Sequence, residues 1–294
     1  MRIGYFADGI WGQRALNLIA QEQSLEIAFV VLRQRQPDNE LAAMARGLNI
    51  EVLSAPDVNS SKFLAKLTTF DCDILVSMSF DQIFRSLIMA SSPHGIINCH
   101  AGQLPWYRGR NVLNWVLIND EPSFGVTVHY VDEGIDTGDI ILQKNYAISD
   151  EDTYGTLLDR AGTYCAETLL EALLQVHGGV DKRVPQISID PMGFYCSGRR
   201  VGDERLVWAQ TSREVFSFVR ALSDPGPGAT TFFGETPIII ERAEFLDRVK
   251  PHGGIPGAIV GVDSNSFLVK TLDTYIRVTQ WRGNFTPRIG VRFR

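Results

Sequence analysis

The chain has 294 residues, 45% of them hydrophobic and 21% charged, with a formal net charge of −6. That composition excludes a disordered segment, and a chain of this length buries a core without disulfide staples. The acidic balance argues against nucleic acid as the main partner, since nucleic-acid binders usually present a basic face. Cys72, Cys99, Cys165 and Cys196 stand far apart with no C-x-x-C pair, so neither a zinc site nor a disulfide framework is expected, and no metal is assigned. Reduced, buried thiols fit a cytoplasmic location. "MRIGYFADGIWGQ" reads as a first strand rather than a signal peptide, and no apolar run reaches bilayer length, so no membrane partner is expected.

Residues 2–7 form a short apolar run closed by Asp8-Gly9, and "GQRALNLIAQ" follows with helical spacing. Residues 25–32 predict a buried strand, "NELAAMARGLNI" a helix ending at Gly47, and 73–80 and 95–101 two more buried strands. Apolar strands alternating with helices predict a parallel α/β sheet. The pattern then changes. Residues 124–131 and 138–148 both read as strands, but the link between them is too short for a parallel crossover. This end of the sheet is therefore expected to be antiparallel. Residues 150–179 predict a long amphipathic helix, with Asp150 or Asp152 at its start and Gly178 at its end. Beyond Val184 come turns, one helix at 211–222 and several short strands. The expected architecture is α/β: a Rossmann-like, mixed but mostly parallel sheet flanked by helices over 1–183. A smaller β-rich, barrel-like domain is expected over 184–294. The basic tail "RIGVRFR" reads as a solvated terminus.

Strand ends of an open α/β sheet are where ligands bind. Asn98 and His100 in "INCHAGQLPWYRGRNVLNW" occupy such an end, and strand alternation puts them on one face. A neutral imidazole near pH 7 accepts a proton from an attacking amine or hydroxyl, and an Asn amide donates to an oxyanion. Alone, the pair reads equally as a polar strand end satisfying nearby backbone. The loop "DEGIDTGD" (132–139) holds four carboxylates and two glycines without calcium-loop spacing. If the antiparallel strands carry it back over the sheet, one carboxylate reaches His100 and orients it, as the third member of a triad does.

"N-x-H-A-x-x-L-P-x-Y-R-G" followed by "G-V-T-V-H-x-V-D-E-G-I-D-T-G-D-I-I" resembles the folate-dependent formyltransferases. That family takes a formyl group from N10-formyltetrahydrofolate to a primary amine on methionyl-tRNA, glycinamide ribonucleotide or a nucleotide-linked amino sugar. The resemblance covers residues 1 to about 180 and continues through 203–230 into the family's C-terminal domain. It implies a catalytic set of Asn98, His100 and Asp136. It implies a pterin pocket from Phe80, Asp81, Gln82, Ile83 and Phe84 with Asp132, Glu133 and Ile135. Phe80, Ile83, Phe84 and Ile135 are expected as apolar walls, and backbone near Asp81, Gln82 and Asp132 as the polar edge. The chain departs from many members at "AGQLP", where Gly102 and Gln103 replace two residues of a Ser-Leu-Leu-Pro segment.

For the acceptor, Gly9 and Gly12 lie in a strand-to-helix turn that lets backbone N–H groups approach a phosphate. Trp11 is read as a cover for a sugar or base, and Arg108 with Arg110 as a seat for a pyrophosphate. The resemblance of "YRGRNVLNWVLINDE" is to sugar nucleotide formyltransferases. It implies dTDP-4-amino-4,6-dideoxyglucose as the acceptor, in surface-polysaccharide (O-antigen) synthesis, with no nucleic-acid partner. Methionyl-tRNA and UDP-4-amino-4-deoxyarabinose are the alternatives. An inactive binding subunit and a formate-releasing folate hydrolase stand as readings of another class. A homodimer is the expected assembly, on base rate alone.

Overall fold

The computed structural model describes residues 1–294. The chain runs β1 (Arg2–Ala7), α1 (Gly9–Gln21), β2 (Glu26–Leu32), α2 (Asn39–Gly47), β3 (Glu51–Ser54), α3 (Ser61–Leu67), β4 (Ile74–Met78), α4 (Ser86–Met89) and β5 (Ile96–His100). Next come β6 (Arg108–Gly109), α5 (Val112–Ile118), β7 (Ser123–Tyr130), β8 (Ile140–Ala147), α6 (Tyr154–His177), β9 (Tyr195–Cys196) and α7 (Ser212–Leu222). The last strands are β10 (Ala229–Phe233), β11 (Thr236–Glu244), β12 (Ile259–Val262), β13 (Phe267–Lys270) and β14 (Tyr275–Arg282). No helix is long and apolar enough to cross a membrane.

Seven strands form one sheet in the order β3-β2-β1-β4-β5-β7-β8. The pairs β2–β3, β1–β2, β1–β4 and β4–β5 are parallel, and β5–β7 is antiparallel, so the direction changes at this end of the sheet, where the short link after residue 131 joins β7 to its sheet neighbour β8. β4 is buried at every position, which explains its unbroken apolar run. α2 starts because the Asp38 carboxylate accepts from the N–H groups of Glu40 and Leu41. The strand order reverses between β1 and β4, and both strands are followed there by polar residues, Asp8 and Ser79. Phe6 anchors the core on one side of the sheet, with the rings of Phe29, Phe63, Phe80 and Phe84 around it at 5.2–6.2 Å.

The chain forms two compact units, each assembled from three segments. The first comprises Met1–Gly109, Phe124–Tyr146 and Asp159–Tyr195; the second comprises Arg110–Ser123, Ala147–Leu158 and Cys196–Arg294. In the second unit a five-stranded antiparallel sheet, ordered β10-β11-β14-β13-β12, packs with α7 around Trp208, Phe216, Phe267 and Ile276. α7 opens with a full capping box between Thr211 and Glu214. Asp150 does not cap α6. It pairs with Arg213 at 2.7 Å, as does Asp120.

The tail differs from the sequence-based expectation of a solvated terminus. The N–H of Ile259 donates to the Val291 carbonyl at 2.8 Å and that of Phe293 to Gly257 at 2.9 Å. The Arg294 N–H then donates to Phe232 at 3.0 Å. The last four residues thus bridge the β12 end of the sheet to β10, giving the sheet its barrel-like closure. Phe293 is 2% exposed, its ring 5.7 Å from that of Trp208.

Candidate active site

β5 delivers Asn98 and His100 from alternate positions, and the antiparallel register sets His129 of β7 opposite Asn98 and Thr127 opposite His100. The loop after β7 turns back over this face. Asp136, in the left-handed region at φ 54°, aims its carboxylate between two imidazoles. Its Oδ2 lies 3.7 Å from His100 Nδ1 and its Oδ1 lies 3.6 Å from His129 Nε2. The Gly109 N–H donates to Oδ2 at 2.9 Å. Burial alone would raise this carboxyl's pKa. The His100 ring and the Gly109 N–H overcome that and hold it well below the usual carboxylate range.

The ring roles follow from their partners. His100 Nε2 donates to the Tyr107 carbonyl at 2.7 Å, and Nδ1 faces the carboxylate, which stabilises a proton taken up there. His129 Nδ1 donates to the Tyr130 carbonyl at 2.8 Å, which leaves Nε2 to accept from Asn98 Nδ2 at 3.3 Å. One N–H of the Asn98 amide is thereby used, and its orientation is fixed. The second is left for a ligand oxygen.

Two further residues hold the frame. Thr127 Oγ1 donates to the Gly102 carbonyl at 2.7 Å, and Gln143 Nε2 donates to Thr127 and to the Leu104 carbonyl, both at 2.8 Å. Together they pin the loop that carries Tyr107. Gln186, 3% exposed, donates to the carbonyls of Asp136 (2.9 Å) and Gly138 (2.8 Å) and accepts from Arg108 Nε and Nη2 at 3.0 and 2.7 Å. It clamps the acidic loop. At the family departure, a Cβ on Gly102 would stand 2.5 Å from His100 Nε2 and 2.6 Å from the Tyr107 carbonyl. The glycine is therefore what lets this His100–Tyr107 contact form.

Sequence reasoning assigned no role to His129 or Gln186. His129 was visible within "V-T-V-H", but its partnership with Asn98 exists only through the β5–β7 register. Gln186 stands 50 residues from Asp136 with no motif around it.

The other expected site residues divide. Ile83 and Ile135 are 64% and 54% exposed, available as apolar walls, and Asp81, Asp132 and Glu133 are exposed. Asp132 ties its own loop, accepting from the Gly134 N–H and the Thr137 hydroxyl. Phe84 is 6% exposed with its ring 5.2 Å from that of Phe6, and Phe80 stacks on Phe84 at 5.9 Å, so Phe84 faces the core and not a ligand. Gln82 bonds the Val58 N–H and the Ala55 carbonyl, bracing a neighbouring loop.

On the acceptor side, Gly9 has φ 69° and open space around it. Gly12 is buried, with a Cβ placed 3.0 Å from Ala7, so it serves helix–strand packing. Trp11 lies against Gly162 of α6, where an added Cβ would meet its ring at 2.6 Å. Arg108 is 8% exposed and saturated by Gln186, the Met192 carbonyl and the Tyr195 ring, so it is not one half of a pyrophosphate clamp. Arg110 is exposed and belongs to the second unit, where its N–H donates to the Cys196 carbonyl.

Known proteins resemble the chain along nearly its whole length. The formyl transferase model matches residues 1–173, and the formyl transferase C-terminal domain model matches 200–284. Methionyl-tRNA formyltransferase of Pelotomaculum thermopropionicum is 34% identical over 238 residues, 80% of this chain and 74% of that protein. Among solved structures, WlaRD, a sugar 3N-formyl transferase, shares a TM-score of 0.71 at 19% identity, covering 97% of this chain and 99% of its own. HypX from Aquifex aeolicus, solved with tetrahydrofolic acid, gives 0.64 at 19% identity over 97% of this chain and 44% of HypX, so this chain spans under half of it. At these identities the two structures show the fold alone.

Proposed function

Because the chain belongs to the formyl transferase family, we propose that it moves a formyl group from N10-formyltetrahydrofolate to a primary amine, with Asn98, His100 and Asp136 as the working set. The observation that carries this reading is the meeting of Asn98, His100 and the Asp136 carboxylate on one face of β5, with His129 between them. Bound formyl folate supplies an activated formyl carbon. The remaining Asn98 N–H donates to the oxyanion that develops there, and His100 shares that charge. As the amine bonds to the formyl carbon and the bond from that carbon to the folate nitrogen breaks, His100 takes the proton that leaves the amine and passes it to the departing folate nitrogen, while Asp136 stabilises the transient imidazolium and fixes its ring. The exposed Ile83 and Ile135, with backbone of the 80–84 and 132–136 loops, fit the apolar walls and polar edge that a pterin needs.

For the acceptor, the relatives favour methionyl-tRNA over the amino sugar ranked first from the sequence, since several relatives 31–34% identical to the chain are methionyl-tRNA formyltransferases. Residues 196–294 also carry 14 Lys/Arg against 10 Asp/Glu, an excess that a phosphate backbone uses. A sugar nucleotide stays as the second reading on one observation: residues 1–195 hold 14 Lys/Arg against 24 Asp/Glu, an acidic setting for tRNA. A mass-spectrometric assay with N10-formyltetrahydrofolate tests both. Methionyl-tRNA, dTDP-4-amino-4,6-dideoxyglucose and UDP-4-amino-4-deoxyarabinose are offered separately. Formyl-methionyl-tRNA as the sole product supports the first reading, and a formylated sugar alone replaces it with the second. Formate release with no formylated amine overturns the transferase assignment.

A further inference from the structure

Asp8 follows β1, Arg33 follows β2 and Ser79 follows β4, all at the carboxyl ends of strands beside the point where the sheet order reverses. Open α/β sheets take ligands at that crevice. The registers Ala7 to Met78 and Met78 to Cys99 place Asp8, Ser79 and His100 in one row just past the paired residues. With strands about 4.8 Å apart, Asp8 lies about 10 Å from His100.

Arg33 Nη1 approaches Asp8 Oδ2 at 3.3 Å, and Nη2 donates to the Ser79 carbonyl. Ser79 has φ 56°, a region that non-glycine residues seldom adopt and that clusters at ligand sites. Each partner keeps one buried polar atom with no hydrogen bond, Asp8 Oδ1 and Arg33 Nε. Asp8 also stands at the N-cap of α1, yet its side chain makes no cap bond. A pair that merely braced the strand ends would use these atoms. The side chains of Arg33 and Asp8 are 34% and 13% exposed, so the pair borders solvent.

The charge of this corner selects the ligand. Asp38 and Asp81 lie near Asp8, and Asp38 is saturated by Gln13 and by the N–H groups of Glu40 and Leu41. Three carboxylates repel a phosphate, which the Gly9–Gly12 turn alone had suggested. An unpaired acceptor beside an unpaired donor, both buried on side chains that border solvent, instead matches a neutral group that both donates and accepts. We infer that the Asp8–Arg33 pair reads a hydroxyl or the amide edge of a base in a nucleoside portion of the acceptor, one row across the strand ends from His100. This rests on the proposed formyl transfer and adds the chemistry by which the acceptor is told from other amines.

The test reads binding without turnover. Adenosine, uridine and thymidine are titrated by calorimetry into the wild-type chain and into Asp8→Asn and Arg33→Gln, with thermal melting as the check on folding. One nucleoside binds the wild type, and each variant weakens it at least about tenfold, the cost of losing a hydrogen bond to a charged group. Adenosine points to a tRNA end, uridine or thymidine to a nucleotide sugar. No binding to the wild type, or unchanged binding in the variants, overturns the inference. Should Asp8→Asn fail to fold, Arg33→Lys, which keeps the charge and removes the Nε–H, carries the comparison. A wild type that binds a nucleoside but formylates no amine sinks the proposed reaction and leaves this pair standing.

Discussion

Replacing Asp136 with Asn keeps the shape of the side chain and removes its charge. In the native site that charge lies 3.7 Å from His100 Nδ1. At an effective dielectric of about 20, a full imidazolium there gains roughly 4 kcal/mol from the carboxylate. If about half of that charge has developed on the ring in the transition state, the variant loses about 2 kcal/mol, or about 30-fold in rate. Single-turnover kinetics with saturating folate and acceptor isolate this step. The expected result is a kcat about 30-fold lower or worse, with KM little changed. A kcat within threefold of wild type would falsify the role given to the carboxylate. The same substitution has a stability signature. Because the folded carboxyl is depressed, its contribution is complete above about pH 4, where unfolded aspartates are ionised, and is lost as pH falls through the folded value. Denaturant titrations at pH 7 and pH 3 should therefore show a smaller acid loss in Asp136→Asn than in wild type.

Other outcomes follow from single contacts. Gln186→Leu strips the buried Nε and Nη2 of Arg108 and two loop carbonyls of their partner; it should cost about 3 kcal/mol in urea unfolding, with kcat falling more than KM rises. Gln186→Glu, which still accepts from Arg108, should recover part of that stability and little of the rate. Phe293→Ala should destabilise the second unit by about 3–5 kcal/mol, read as a lowered melting temperature, because its ring sits among Trp208, Phe267 and Phe285. Burial pushes the thiols of Cys72 and Cys196 up to about 11 and raises that of Cys99 well above the ordinary thiol value. Mass spectrometry after iodoacetamide at pH 8 should find these three unmodified in the native chain and alkylated once it is unfolded.

The sequence was legible where a single element carried the signal. The buried runs of β1, β2, β4 and β5, with the alternation of β7 and the short link after it, set the sheet and its antiparallel edge, and "I-N-C-H" holds two of the three proposed site residues. Short elements escaped. β3 has four residues with one buried side chain, Leu53, and α3 is seven residues long, so neither shows a period. Side-chain fates settled by distant partners escaped as well. Trp11 and Arg108 look like ligand contacts in the sequence, but Gly162 and Gln186, far along the chain, take them up. The Asn98–His129 pair has the same cause, since a cross-strand neighbour is invisible until the register is known.

The closing role of residues 291–294 has a temporal consequence. During synthesis, β10 has residues 204–206 along its outer edge, but the β12 end of the sheet waits unpaired until residues 291–294 have emerged. The segments 110–123 and 147–158, made much earlier, belong to that same unfinished unit. The parallel core of the first sheet, β1 to β5, has by then all its strands in hand. Maturation should therefore proceed in two stages, with the second unit exposing an aggregation-prone strand edge until residues 291–294 have paired with it.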